Sequence, residues 1–240
     1  GDGTLLLDIY NYILEKTPRG KVLDRYPVTL IGIDYNQAAL DVTAQTLHHI
    51  PHVVLLKGDI GNPKQVMEDL AQQHGIMDHS RILHVRSFLD HDAPFIAPTN
   101  EQALQHRRQN KACNNYTGVY VDKDGQSIEP AIVVQGLVEH MQRWAEVVDR
   151  LVLLEVHCLP PTTVSKYLSE AESLHFDAYH AFSKQLLVEA DVFLLSAAEA
   201  GLFPQHHQSY PEHHFDFTRI TLNLLEKKDF CVRHANMDDL

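Results

Sequence analysis

The residues best equipped for chemistry stand together between Arg81 and Asp92, in the run RILHVRSFLDHD. Ile82–Val85 reads as a short buried strand, and the next seven residues hold an arginine, a serine, an aromatic, two carboxylates and a histidine. In open α/β sheets ligands bind beyond the carboxyl ends of the strands, so polar groups gathered where a strand stops are placed for a reaction. A loop whose acids cap the next helix is the competing reading. Leu151–Val156, the most apolar strand of the chain, stops in the same way at His157. Arg86 suits a bidentate carboxylate partner, which could be a substrate or a neighbouring loop.

Two more acids sit at strand ends. Val28–Ile33 stops at Asp34, followed by Tyr35, and Val53–Leu56 runs into Lys57, Gly58, Asp59 and Ile60. One carboxylate can accept hydrogen bonds from both hydroxyls of a ribose, which is the reading for Asp34; capping of the following helix is its rival. Asp59 is placed to accept from an exocyclic adenine amine while Ile60 packs on the ring. Gly1, Asp2 and Gly3 form a glycine turn ahead of a helix-like run with Leu5, Ile9 and Ile13. Such a turn lets the backbone approach a ligand, and a helix N-terminus offers unsatisfied N–H groups. With no strand before Gly1, the chain reads as opening inside a motif, a fragment of something longer. Together these features describe a nucleoside-binding sheet, which nicotinamide enzymes and S-adenosylmethionine enzymes both use.

The elements that must position these groups alternate strand and helix, with helices over 37–48, 63–73 and 131–149. That pattern predicts an α/β, Rossmann-like, doubly wound and mostly parallel sheet within one domain spanning 1–240. An antiparallel edge hairpin is expected from 217–225 and a run near 230–232. Residues 101–130 read as a polar insertion with a small hairpin around Tyr116–Val121 and the turn Asp122–Gly125; 162–201 reads as a helical insertion. The helix over 131–149 buries Val134, Leu137, Val138, Met141 and Trp144 at helical spacing and carries Gln135 in its first turns.

A net charge of -12 argues against a nucleic-acid partner, and no apolar run is long enough to span a membrane. Cys113, Cys158 and Cys231 are odd in number and form no C-x-x-C pair, which predicts a reducing cytoplasm and neither disulfides nor a cysteine zinc site. Among the seventeen histidines, His206, His207, His213 and His214 read as an exposed loop. His84, inside a strand, reads as a hydrogen-bonded core residue.

In this order GDGT, LIGIDYN, LKGDIGNP, ILHVRSFLDHD, LVLLEVHCLPP and SLHFDAYHAFSKQLLVEA closely resemble the class I methyltransferase domains of modular polyketide synthases. The nearest type is the metal-dependent C-methyltransferase of loading modules, as in the apratoxin assembly line. The resemblance implies the class I methyltransferase fold with its first strand lacking here, and S-adenosylmethionine as cofactor. It places Gly1, Asp2 and Gly3 at the methionine part, Asp34 and Tyr35 at the ribose, Asp59 and Ile60 at the adenine, and Arg86 and Ser87 nearby.

The chemistry it implies is methylation of the α-carbon of a malonyl or related acyl group on an acyl carrier protein, beside neighbouring synthase domains. A mononuclear iron or manganese would stabilise the enolate as a Lewis acid. His91 and Gln135 are then the expected core ligands, with Asp90 and His157 beside them. His91, His157, Tyr179 and Arg86 are the expected catalytic residues, and His175, Tyr179 and His180 line the acyl pocket or simply pack as a core face. The alternatives are a metal-independent O-methyltransferase using a base such as His157, and a catalytically silent scaffold module.

Overall fold

A computed structural model describes residues 1–109, 118–170, 175–212 and 217–228. The chain divides into two compact units, Gly1–Met77 and Asp78–Leu240.

In the first unit, helix α1 (Thr4–Lys16) precedes strand β1 (Leu30–Asp34), helix α2 (Gln37–Thr46), strand β2 (Val53–Lys57) and helix α3 (Pro63–His74). β1 and β2 are parallel and in register from Leu30 opposite Val53 to Asp34 opposite Lys57, so both strands end at one level. Local sequence sets the helix boundaries. The Asn36 side chain accepts the Ala38 N–H at 3.0 Å to start α2. Asn62 caps α3, Pro63 opens it, and Gly75 closes it at φ 67°. Leu30, Leu47 and Ile50 form the core, with Leu6, Leu7, Tyr10, Val28 and Val53 packed on it.

The second unit holds β3 (His84–Ser87), α4 (Glu101–Gln109), the two-residue strands β4 (Tyr120–Val121) and β5 (Ser127–Ile128), α5 (Pro130–Ala145) and β6 (Arg150–Val156). Then come α6 (Pro161–Tyr167), α7 (His175–Phe182), α8 (Ala190–Glu199), β7 (Leu202–Tyr210) and β8 (Ile220–Lys227). Its sheet has the order β3, β6, β8, β7. β3 and β6 are parallel, whereas β8 runs antiparallel to both β6 and β7. α5 is helical because its apolar residues recur on one stripe; Val134, Val138, Met141 and Trp144 are buried, and it packs on α4 and α8. Each such side chain contributes about 1.5–3 kcal/mol by leaving water.

The α/β class with parallel strands and an antiparallel edge pair is as the sequence predicts, with three local corrections. The edge hairpin is β7 with β8; the run at 230–232 lies outside the described residues. His206 and His207 sit in β7 rather than in a loop, while His213 and His214 lie outside the described residues. β7 tolerates Pro204 because it is the edge strand and its register shifts between Pro204 and His206. The expected long helical insertion is broken into α6, α7 and α8, with residues 171–174 outside the description and Gln185–Glu189 not helical. Tyr116 and Thr117 of the expected hairpin also lie outside it. Among the described residues no helix is long and apolar enough to cross a membrane.

Candidate active site

The site of the second unit is built where β3 and β6 end side by side. After Ser87 the backbone turns through Phe88, whose φ of 53° is rare for a bulky residue, and whose N–H donates to the Leu154 carbonyl at 2.7 Å. That turn delivers Asp90 and His91, both buried, over the carboxyl end of β6. Glu155, 1 % exposed, meets them there. The Asp90 N–H donates to Glu155 Oε2 at 2.8 Å and the Val156 N–H to Oε1 at 2.7 Å. His91 Nδ1 lies 2.6 Å from Oε1. A carboxylate accepting at both oxygens makes Nδ1 the donor, and His91 Nε2, which has no hydrogen-bond partner among the described residues, keeps its lone pair.

A second buried cluster shares the same turn. Asp90 Oδ1 accepts from Arg86 Nη2 at 2.9 Å and from His140 Nε2, on α5, at 3.0 Å. Burial by itself would raise the Asp90 pKa, but Arg86 and then His140 outweigh it and hold the carboxyl below its ordinary value. The Arg86 guanidinium lies 4.3 Å from the Trp144 ring centroid, and its Nε and Nη1 have no hydrogen-bond partner among the described residues. Beside Asp90 and His140 opens a cleft walled by Phe95, Ile96, Leu137 and Leu186.

The four expected metal ligands have the following partners within the protein. Asp90 serves Arg86 and His140, and His91 serves Glu155. Gln135 accepts from Arg107 at 3.3 Å and donates to Glu139 at 3.2 Å. His157 is 0 % exposed, with Nε2 against Thr221 Oγ1 at 2.8 Å and Nδ1 without a hydrogen-bond partner among the described residues. Burial lowers its pKa to about 3 and so keeps it neutral. The ring packs edge-on to Phe193, with centroids 5.3 Å apart. Among the described residues no three His, Cys, Asp or Glu side chains are grouped to hold a metal ion.

The sequence profile of the AprA MT2-like domain family matches residues 1–223. The chain belongs to this methyltransferase family. No curated protein sequence matches it. Solved structures similar to this AprA MT2-like domain include LepI in complex with SAM, at 11 % identity and TM-score 0.45, over 95 % of this chain and 42 % of LepI. The CurJ carbon methyltransferase matches at 10 % identity and TM-score 0.46, over 95 % of this chain and 54 % of that one. The cyclopropane synthase MmaA2 from Mycobacterium tuberculosis matches at 10 % identity and TM-score 0.48, over 87 % of this chain and 73 % of that one. The domain thus spans less than half the length of LepI.

The remaining expected residues of this AprA MT2-like domain fall in both units. In the first, Asp34 closes β1, where Asn36 N–H donates to Oδ1 at 2.8 Å and the Gly1 amino group pairs with Oδ2. Burial opposes its ionisation, while hydrogen bonds from the Gly1 amino group and the Asn36 N–H lower its pKa. Tyr35 beside it is 75 % exposed. Asp59 is exposed two residues beyond β2, one oxygen accepting the Gly61 N–H at 2.8 Å, and Ile60 is half-buried. Gly3 takes φ 83°, and a Cβ there would press on Thr43 Cγ2 at 2.9 Å, so only glycine fits. Thr43 and Thr46 donate to the carbonyls of Gly1 and Asp2 at 3.0 and 2.7 Å, fixing the turn to α2. Glycine turn, ionised strand-end acid and second acid are a donor and acceptor set that suits a nucleoside with an amino-acid tail.

In the second unit Ser87 is half-buried at the end of β3. Tyr179, on α7, is 63 % exposed and edge-on to His175. His180 presents its ring edge-on to His91 at 5.9 Å. Buried His84 has no partner at Nε2 among the described residues and packs edge-on to Trp144, so at that nitrogen it is not the hydrogen-bonded core residue expected. Sequence reading missed Glu155 and left His140 without a role. The signal for Glu155 was parity: it shares the buried face of β6 with Leu151 and Leu153.

Proposed function

We propose that this domain is an S-adenosylmethionine-dependent C-methyltransferase acting on the α-carbon of an acyl thioester borne by an acyl carrier protein. The observation that carries the reading is the buried His91 and Glu155 pair, 2.6 Å apart, at the end of two core strands. Glu155 fixes the tautomer in which Nε2 is the base, the arrangement that general-base catalysis requires. His91 Nε2 takes the α-proton, the C–H electron pair passes into the enolate, and the α-carbon then forms its new bond to the methyl group. Bound S-adenosylmethionine supplies that methyl as an electrophile and leaves as the neutral thioether. Gly3, Asp34 and Asp59 would hold it through its methionine, ribose and adenine parts. Each of these steps uses side chains of the domain itself.

The test is methyl transfer from labelled S-adenosylmethionine to a malonyl carrier protein, with the product mapped by mass spectrometry. Wild type is expected to place the label on the α-carbon and to keep its rate after chelation; His91→Ala is expected to lose about 10²–10⁴-fold. Label on oxygen would replace the reading by O-methylation. A rate lost on chelation and restored by iron or manganese would return the metal-stabilised enolate.

A further inference from the structure

Helix α7 is fastened at both ends. Near its start Asp177 pairs with Arg219, the residue that precedes β8. Past its end Lys184 takes φ 63° and turns the chain back, so that the Gln185 N–H donates to the His180 carbonyl at 3.0 Å and the Leu186 N–H to the His91 carbonyl at 2.7 Å. The Gln185 side chain adds a bond to Asp92 Oδ1 at 3.0 Å. The His180 ring is fixed as well: a carbonyl only accepts, so Nδ1 carries the proton and donates to the Phe176 carbonyl at 2.6 Å. His180 therefore stands as a rigid wall against His91, the two rings at 85° with centroids 5.9 Å apart, within the contact range of ring pairs.

The space left at His91 is small. Its ring is buried, its Nδ1 edge is filled by Glu155 and one flank by His180. A carbon that gives its proton to Nε2 comes to hydrogen-bond distance and must fit its three other substituents into what remains. Two of them, the thioester carbonyl and the group beyond the α-carbon, are long and need the open direction. The third is left against the His180 ring, where a hydrogen fits and a methyl group presses on a wall that cannot retreat.

We propose that His180 is the specificity-determining residue for the α-substituent: it admits an α-methylene thioester to His91 and turns away one that already carries an α-methyl, so the domain adds one methyl group and stops. This rests on the reading of His91 as the base for an acyl thioester.

The test sets malonyl against racemic methylmalonyl groups on one carrier protein and counts the methyl groups gained at the α-carbon by mass spectrometry. Each rate is divided by the buffer-catalysed α-deuteration rate of the same thioester, which removes the difference in intrinsic acidity. One carbon against a filled wall is worth about 10–200-fold, so wild type is expected to favour malonyl by about tenfold or more in kcat/KM and to stop at one methyl. His180→Ala is expected to use the two within about twofold and to release dimethylated product, whereas His180→Phe keeps the ring and the preference. His180→Trp is expected to widen the preference; opposite shifts on shrinking and enlarging one side chain are not what loss of folding produces. Equal use of both thioesters by wild type, a wild-type preference retained in His180→Ala and His180→Trp, or a preference lost in His180→Phe overturns the proposal. Label on oxygen, or no methylation of either thioester, fails the C-methyltransfer reading and takes this role of His180 with it, whereas α-carbon methylation without discrimination fails the role of His180 alone.

Discussion

His91 and His157 stand at the ends of neighbouring parallel strands, and in the sequence they look alike. Each follows a buried apolar strand and each reads as a metal ligand or base. In the fold they part. His91 meets the carboxylate of Glu155 and keeps one nitrogen for a ligand, whereas His157 is fully buried against the Thr221 hydroxyl and Phe193. Burial in an apolar shell with one hydroxyl holds His157 neutral. Position at a strand end therefore nominates a histidine, and the partner decides its work.

The sharpest way to break the contrast is to exchange the consequences. Glu155→Gln should cost methyl transfer about 10²–10⁴-fold, because a neutral amide no longer fixes the donor at Nδ1, while Thr221→Val should leave kcat within a few-fold. Equal losses in the two variants would erase the distinction. Asp90→Ala should come next in size. It strands the Arg86 guanidinium in the core, and removing one partner of a buried ion pair costs about 3–5 kcal/mol, read from urea midpoints at constant m.

The neutral histidines predict a pH effect of intermediate size. Burial holds His157 near pKa 3 and His84 near 4, against 6.5 in the unfolded chain. Between about pH 4 and 6.5 the unfolded state binds more protons, so stability is complete above 6.5 and falls as the pH drops. From pH 6.5 to 5 each histidine removes about 2 kcal/mol. Denaturation curves at pH 7 and 5 should show this loss, and His84→Phe should shrink it by about half. The smallest effect expected is Tyr120→Phe. Its hydroxyl donates to the Leu187 carbonyl at 2.7 Å, a bond worth about 1 kcal/mol, visible as a small shift in Tm.

The parts of this molecule that could be read from residues alone are those dictated by local pattern. Val53–Leu56 and Leu151–Val156 announce buried strands, and Asn36, Asn62 and Pro63 announce helix starts. β7 hid because LFPQHHQSY is polar and carries a proline, which an edge strand tolerates and a central one does not. His91 and Arg86 were visible as chemistry at a strand end. Glu155 was not, because a lone acid inside an apolar strand looks like a break in the pattern until the opposite turn supplies its donors. The partners of Gln135 could not be read from residues alone either, because Arg107 lies 28 positions away along the chain and Glu139 one helical turn on.

The base assignment is tested most directly without the methyl donor, by following exchange of the α-protons of a malonyl or propionyl thioester in D2O by NMR. Wild type is predicted to speed the exchange well above the buffer rate, and His91→Ala and Glu155→Gln to fall back toward it while His157→Gln stays near wild type. Exchange undiminished in His91→Ala would contradict the account.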